Sequence, residues 1–148
     1  WHQDASYWPL TPSKVITVWL AIDDVNKDNA PMQFIPGSHL RGQIPFEHSK
    51  PEENSVLGQS VHYSEEYGKP VSVIMKAGQI SIHSDLLLHG SEPNMSDRRR
   101  CGLTIRYNPP DVRGRDAKRA EGIICRGSDP DRYWQLLPSP DGDHLPTR

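Results

Sequence analysis

Cysteine is scarce in this chain of 148 residues, where only Cys101 and Cys125 occur. One disulfide is possible, but there is no disulfide framework and no C-x-x-C pair. Disulfide-built scaffolds and thiol-redox motifs are therefore excluded, and a reducing, intracellular, cytoplasmic setting is expected. Net charge is also small: 17 Lys and Arg against 19 Asp and Glu leave −2. The basic residues are dispersed apart from Arg98-Arg99-Arg100, so neither nucleic acid nor an anionic membrane is an expected partner. No apolar run approaches the roughly 20 residues of a membrane-spanning helix. Nothing reads as a signal peptide, and no internal repeat stands out. Helix-period patterning is missing as well; only Asp116 to Gly122 is expected to form a short helical turn.

What is present reads as strands. Val15 to Ile22 is β-branched and aromatic without glycine or proline, which predicts a central strand. Asp23 to Pro31 has turn chemistry. Met32 to Ile35 predicts a short strand stopped by Pro36-Gly37. Val71 to Met75 predicts another, closed by a turn at Lys76-Ala77-Gly78. From Gln79 to His83 the chain alternates in period two, with Ile80 and Ile82 on one face and Ser81 and His83 on the other. Cys101 to Tyr107 is the last strong strand, ended by Asn108-Pro109-Pro110. Short strands with Gly/Pro punctuation suggest a mainly β sandwich or jelly roll. Arg41 to Pro70 is long, polar and rich in Glu, Ser and Gly, and is expected to act as a lid near a site mouth.

The chemistry concentrates at His2-Gln3-Asp4 and at His89. Two imidazoles and one carboxylate can occupy one face of an octahedral metal and leave the other open, the ligand set of non-heme Fe(II) oxygenases. On a strand, His2 and Asp4 would point the same way and Gln3 elsewhere. An H-x-D pair alone is a weak signal, since it often marks a surface turn. The fixed order of the surrounding motifs adds specificity: Trp1-His2-Gln3-Asp4, then Phe34-Ile35-Pro36-Gly37-Ser38-His39, then Leu88-His89-Gly90-Ser91, followed by Pro93-Asn94 and Arg98-Arg99-Arg100.

With these motifs the chain resembles the phytanoyl-CoA dioxygenase family of Fe(II)/2-oxoglutarate oxygenases from Trp1 to about Tyr107, and more weakly around Ile123 to Trp134. The resemblance implies a double-stranded β-helix, a cupin-like jelly roll. It implies His2, Asp4 and His89 as iron ligands and catalytic centre, with 2-oxoglutarate as cosubstrate and O2 as oxidant. The partner would be a small-molecule substrate, hydroxylated with release of succinate and CO2. In the family H-x-D follows a helical region and the first barrel strands. The chain is therefore expected to be the C-terminal part of a longer protein, its jelly roll incomplete at the N-terminus and its sheet edges unpaired. Residues 1–110 would be the C-terminal part of the oxygenase domain and residues 111–148 an irregular tail packed on it.

The distal carboxylate of 2-oxoglutarate calls for the planar fork of an arginine. The resemblance places that arginine eleven residues after the distal histidine, at Arg100. Strand alternation lets Arg98 share its face and turns Arg99 away. Ser91 is a candidate donor to the same carboxylate, or a turn hydroxyl bonded to backbone. Gln3 and Trp19 are candidates to line the site, Trp19 with a plain core role as its alternative. His83-Ser84-Asp85 is a second H-x-D near His89, but its triad would have to come from one continuous segment. His39 reads as a turn histidine, and His48, His62 and His144 as solvated. In related halogenases a small residue replaces the carboxylate and opens a halide site; with Asp4 present, the resemblance implies hydroxylation or another oxidative outcome and not halogenation. A cupin-like metal-binding protein, expected to lack an arginine after the last histidine, and a catalytically inactive fragment remain as alternatives.

Overall fold

A computed structural model describes residues 1–8, 10–49, 57–115 and 120–142. Among them the chain is built from short strands and single 3-10 turns. Strands β1 (Leu10–Thr11), β2 (Ile16–Ala21), β3 (Gln33–Phe34), β4 (Glu47–His48), β5 (Gln59–Ser60) and β6 (Val71–Ser72) come first. They are followed by β7 (Ile80–Ser84), β8 (His89–Gly90), β9 (Gly102–Tyr107), β10 (Arg113–Gly114), β11 (Ala120–Gly122) and β12 (Trp134–Leu136). No helix among the described residues is long and apolar enough to cross a membrane.

Two antiparallel sheets position the site. The first has the order β7-β2-β9 and the second β6-β3-β8. The second continues past β8, because His2 bridges His89 in antiparallel fashion and the Trp1 carbonyl accepts the Val61 amide at 2.7 Å. The main predicted strands form close to their expected bounds. These paired antiparallel sheets are of the expected mainly β, jelly-roll class.

Register decides what faces inward. Thr17 pairs with His83 on one side and Arg106 on the other; Trp19 pairs with Ser81 and Thr104. These residues share one face. Thr17, Ser81 and His83 are buried, whereas Ile80 and Ile82 on the opposite face are 54% and 60% exposed. The sheet thus turns its polar face inward and its aliphatic face outward, the reverse of an ordinary half-buried strand.

The apolar core is divided into small clusters. Ile35, Ile44, Val61 and Leu88 form one, with Trp1, Phe46, Tyr63 and Tyr67 packed against it. Ile44 and Val61 come from the segment expected to be a lid, so this part of it is anchored in the core; its residues 50–56 lie outside the described residues. Leu10, Val15 and Val112 form a second cluster with Trp134. The region after Asp111 is more regular than expected. β10 pairs with β1, and β11 with β12 in parallel. The helical turn expected over Asp116 to Gly122 is not found at its described end, where Ala120–Gly122 is a strand.

One glycine is set by packing. A Cβ at Gly102 would lie 2.0 Å from Cζ2 of Trp19, so the Trp19 ring lies directly over the strand start. Gly102→Ala should therefore push the indole aside and destabilise the protein by about 1–3 kcal/mol, the range for overpacking. Thermal melting with tryptophan fluorescence checks this; an unchanged melting temperature and emission spectrum would contradict it.

Candidate metal centre

His2 lies on the edge strand beside β8, and the chain then tightens into a 3-10 turn, Asp4–Ser6. The backbone pair between His2 and His89, N to O 2.9 Å in one direction and 3.0 Å in the other, sets the two imidazoles side by side. Their ring centroids are 4.1 Å apart. Asp4 Oδ1 lies 3.7 Å from His2 Nε2 and 3.9 Å from His89 Nε2. The three ligand atoms are all within 4.8 Å of one another, and among the described residues His2, Asp4 and His89 are the one such group. Asp85 of the second H-x-D motif stays outside it, its carboxylate accepting from the Ser84 hydroxyl at 3.3 Å.

The donor set fits a divalent metal. His89 Nδ1 is 2.8 Å from the Leu87 carbonyl. That bond places the proton on Nδ1 and leaves the Nε2 lone pair facing the centre, the usual outer-shell arrangement for a ligating histidine. Burial, followed by the neighbouring His89, pushes the His2 pKa down to about 3. Burial also lowers His89, against the opposing pull of the Leu87 carbonyl and Asp4. Burial alone would raise the Asp4 carboxyl. The Thr17 hydrogen bond and the charges of His89, Arg106 and His2 outweigh it, so the carboxyl is held below its ordinary range. Neutral imidazoles and a carboxylate are the forms that bind metal.

The residues around the triad divide by role. Gln3 is 1% exposed; its amide donates to the Gly42 and Leu86 carbonyls and accepts from the Ile44 amide. Both of its protons are engaged by backbone, so Gln3 ties two loops together. Trp19 is partly buried on the inward face of β2. Ser38 in the Pro-Gly-Ser turn accepts the Leu88 amide at 2.8 Å, which holds the chain just before His89; Gly37 takes φ 83° to make that turn. His39, His48 and His62 are exposed, and His144 lies outside the described residues.

The three arginines separate clearly. Arg99 makes a two-pronged pair with Asp23, at 2.7 and 2.8 Å. Arg98 is exposed. Arg100 is partly buried; its Nη2 donates to the Ser91 hydroxyl at 3.2 Å while its buried Nε has no partner. A guanidinium with one free buried donor beside a hydroxyl fits the distal carboxylate of a keto acid.

Two residues beside the triad, Thr17 and Arg106, were not singled out from sequence, whereas His83 was read from its H-x-D motif. Thr17 Oγ1 donates to Asp4 Oδ2 at 2.6 Å, and Arg106 Nη2 lies 3.5 Å from the same oxygen. Arg106 also stacks over Trp8 at 4.8 Å. His83 packs 4.7 Å from His89 with neither ring nitrogen bonded. Period-two counting would have found them: Thr17 shares the parity of Trp19, and Arg106 that of Arg100. Beyond Arg106 and Trp8 opens a cavity of about 620 Å³, walled also by Leu10, Ile124, Trp134 and Leu136.

The profile of the phytanoyl-CoA dioxygenase (PhyH) family matches residues 1–102. The chain belongs to the phytanoyl-CoA dioxygenase family. It is 32% identical over 109 residues to the mouse (Mus musculus) phytanoyl-CoA dioxygenase domain-containing protein 1, covering 70% of this chain and 37% of that protein. Among solved structures it resembles ThoJ, a non-heme monooxygenase, with 31% identity and TM-score 0.78 over 97% of this chain and 51% of ThoJ. It also resembles SnoN, a non-heme alpha-ketoglutarate-dependent epimerase from nogalamycin biosynthesis, with 26% identity and TM-score 0.59 over 78% of this chain and 42% of SnoN. The chain thus spans about half of these relatives or less.

The buried imidazoles predict acid sensitivity of the metal-free protein. His83, like His2, is held down by burial and then by His89, to about 4 against an ordinary 6.5. As pH falls through 6.5 the unfolded chain takes up protons that the folded chain refuses until near 4 for His83 and 3 for His2. More protons on the unfolded state means that stability falls with pH in that window, by up to about 1.4 kcal/mol per pH unit per histidine. Urea unfolding between about pH 7 and 4 should show this loss, and His83→Phe should flatten it. A stability flat across that range would contradict the assignment.

Proposed function

We propose that this chain carries the metal-binding part of an Fe(II)- and 2-oxoglutarate-dependent oxygenase that hydroxylates an unactivated C–H bond of a small organic substrate. The observation that supports it most is the His2, Asp4 and His89 cluster, with the Leu87 carbonyl fixing the His89 tautomer. His2 Nε2, His89 Nε2 and Asp4 Oδ1 would hold the iron. Arg100 would grip the distal carboxylate of 2-oxoglutarate, with Ser91 supporting the guanidinium. Once loaded, the centre would couple oxidation of substrate C–H to C–OH by O2 with conversion of 2-oxoglutarate to succinate and CO2.

The protein's share is orientation and exclusion of water. The buried triad keeps its imidazoles neutral, and Trp19 covers the sheet between the ligands and the start of β9. The cavity lined by Arg106 and Trp8 reaches Asp4 only through the Arg106 side chain, on the Oδ2 side of the carboxylate. Residues 1–110 are read as the C-terminal part of the oxygenase domain. Residues 111–148 are read as a tail on it, supported by the packing of Val112 and Trp134 on Leu10 and Val15. A cupin-like protein without keto acid would have no use for a half-buried arginine beside Ser91.

Turnover tests the reading. Succinate should form only with 2-oxoglutarate and iron present, and turnover that survives chelation would refute it. Arg100→Ala should weaken 2-oxoglutarate binding by about 1.5–3 kcal/mol, roughly 10- to 150-fold, with metal affinity unchanged. Arg100→Lys should recover only part, because it lacks the fork. Equal affinity in wild type and Arg100→Ala, measured calorimetrically on the metal-loaded protein, would move the anchor elsewhere.

A further inference from the structure

We propose that Thr17 and Arg106 are positioning residues that hold one oxygen of Asp4 away from the metal, so that the carboxylate binds through Oδ1 alone. The inference rests on the proposed metal site. Its basis is a division of labour between the two carboxylate oxygens. Oδ1 faces both imidazoles, 3.7 Å from His2 Nε2 and 3.9 Å from His89 Nε2. Oδ2 faces away, toward Thr17 Oγ1 at 2.6 Å and Arg106 Nη2 at 3.5 Å. Thr17 and Arg106 are direct cross-strand partners on the inward face of β2 and β9. Their placement under Asp4 is therefore fixed by sheet register and does not depend on a flexible loop.

The geometry has a chemical consequence. A carboxylate beside a divalent metal can bind through one oxygen or through both. Two-oxygen binding would take one of the positions that a chelating keto acid and O2 both need. A short hydroxyl bond and a guanidinium on Oδ2 oppose that rotation, because swinging Oδ2 onto the metal would break both contacts. Thr17 is 2% exposed, so water does not readily replace its hydroxyl. Arg106 is kept in place by its stack on Trp8. Together they would reserve the open side of the centre and choose which Asp4 oxygen binds.

The test uses Co(II) alone as probe, bound to the purified protein without substrate. Visible absorption reports coordination number and geometry, and calorimetry reports affinity. Thr17→Val keeps shape and removes the hydroxyl; it should alter the Co(II) spectrum and weaken 2-oxoglutarate binding to the Co(II) form by about tenfold, because the released Oδ2 would compete for a position the keto acid needs. Thr17→Ser should restore both. Arg106→Gln should change the spectrum in the same sense, and Arg106→Lys should restore part of it. A wild-type spectrum and wild-type 2-oxoglutarate affinity in Thr17→Val would overturn the proposal. If that variant does not fold, Arg106→Gln decides alone, a wild-type spectrum again overturning it. Failure of the wild-type protein to bind Co(II) at all would instead overturn the metal reading on which this one rests.

Discussion

The site depends on one pair of backbone hydrogen bonds, those exchanged by His2 and His89. They are ordinary ladder bonds, each worth about 1 kcal/mol net, yet they convert ligands 87 residues apart in sequence into neighbours. What makes so short a pairing hold is the structure on either side of it. The His89 strand is paired by Phe34 on its other edge, and its backbone is held one residue earlier by Ser38. On the His2 side, Gln3 binds backbone groups at Gly42, Ile44 and Leu86. The residue between the two N-terminal ligands is thus the staple that joins the His2 bridge and the Asp4 turn to two loops. Alternation sends His2 and Gln3 in opposite directions, and both directions are used.

Electrostatics follow from the same arrangement. Burial drives the imidazoles toward neutrality and would drive the Asp4 carboxyl the same way. Only the carboxyl has strong compensation, from Thr17 first and then from neighbouring charge. The outcome is two neutral bases and one anion in a small volume, set by desolvation acting on every group and by compensation that outweighs it only at Asp4. The inward polar face of β7, β2 and β9 is what supplies that compensation. A conventional aliphatic inner face would leave Asp4 without a partner, and a buried unpaired carboxylate tends to take up a proton.

Much of this was legible in sequence, for identifiable reasons. The strands over Ile16–Ala21, Ile80–Ser84 and Gly102–Tyr107 carry strong β-branched or alternating patterns. The triad stood out through its motif context. Two-residue strands such as β8 and β10 have no periodicity to read, so their pairing comes only from tertiary contact. Gln3 was a candidate to line the site because it flanks the ligand strand; its bonds to Gly42, Ile44 and Leu86 come from tertiary contact, which no periodicity announces. The segment from Arg41 to Pro70 looked like a surface loop by polarity, while its buried members among the described residues, Ile44 and Val61, sit in short apolar interruptions of a polar stretch. Polarity averages hide such anchors.

The arginines show how far parity alone can be carried. Arg98, Arg100 and Arg106 share parity, and Arg99 does not. Arg99 is taken by Asp23, whose carboxylate also accepts the Cys101 amide at 2.9 Å. That double anchorage fixes the start of β9 and turns Arg100 toward Ser91 on the other side. Six residues later the same face delivers Arg106 to Asp4. The six-pair ladder between β9 and β2 sets the register that carries Arg106 to Asp4, and the Asp23 contacts mark where that ladder begins. The strand rises roughly 3.3 Å per residue from there, and the Trp19 ring lies over its start at Gly102.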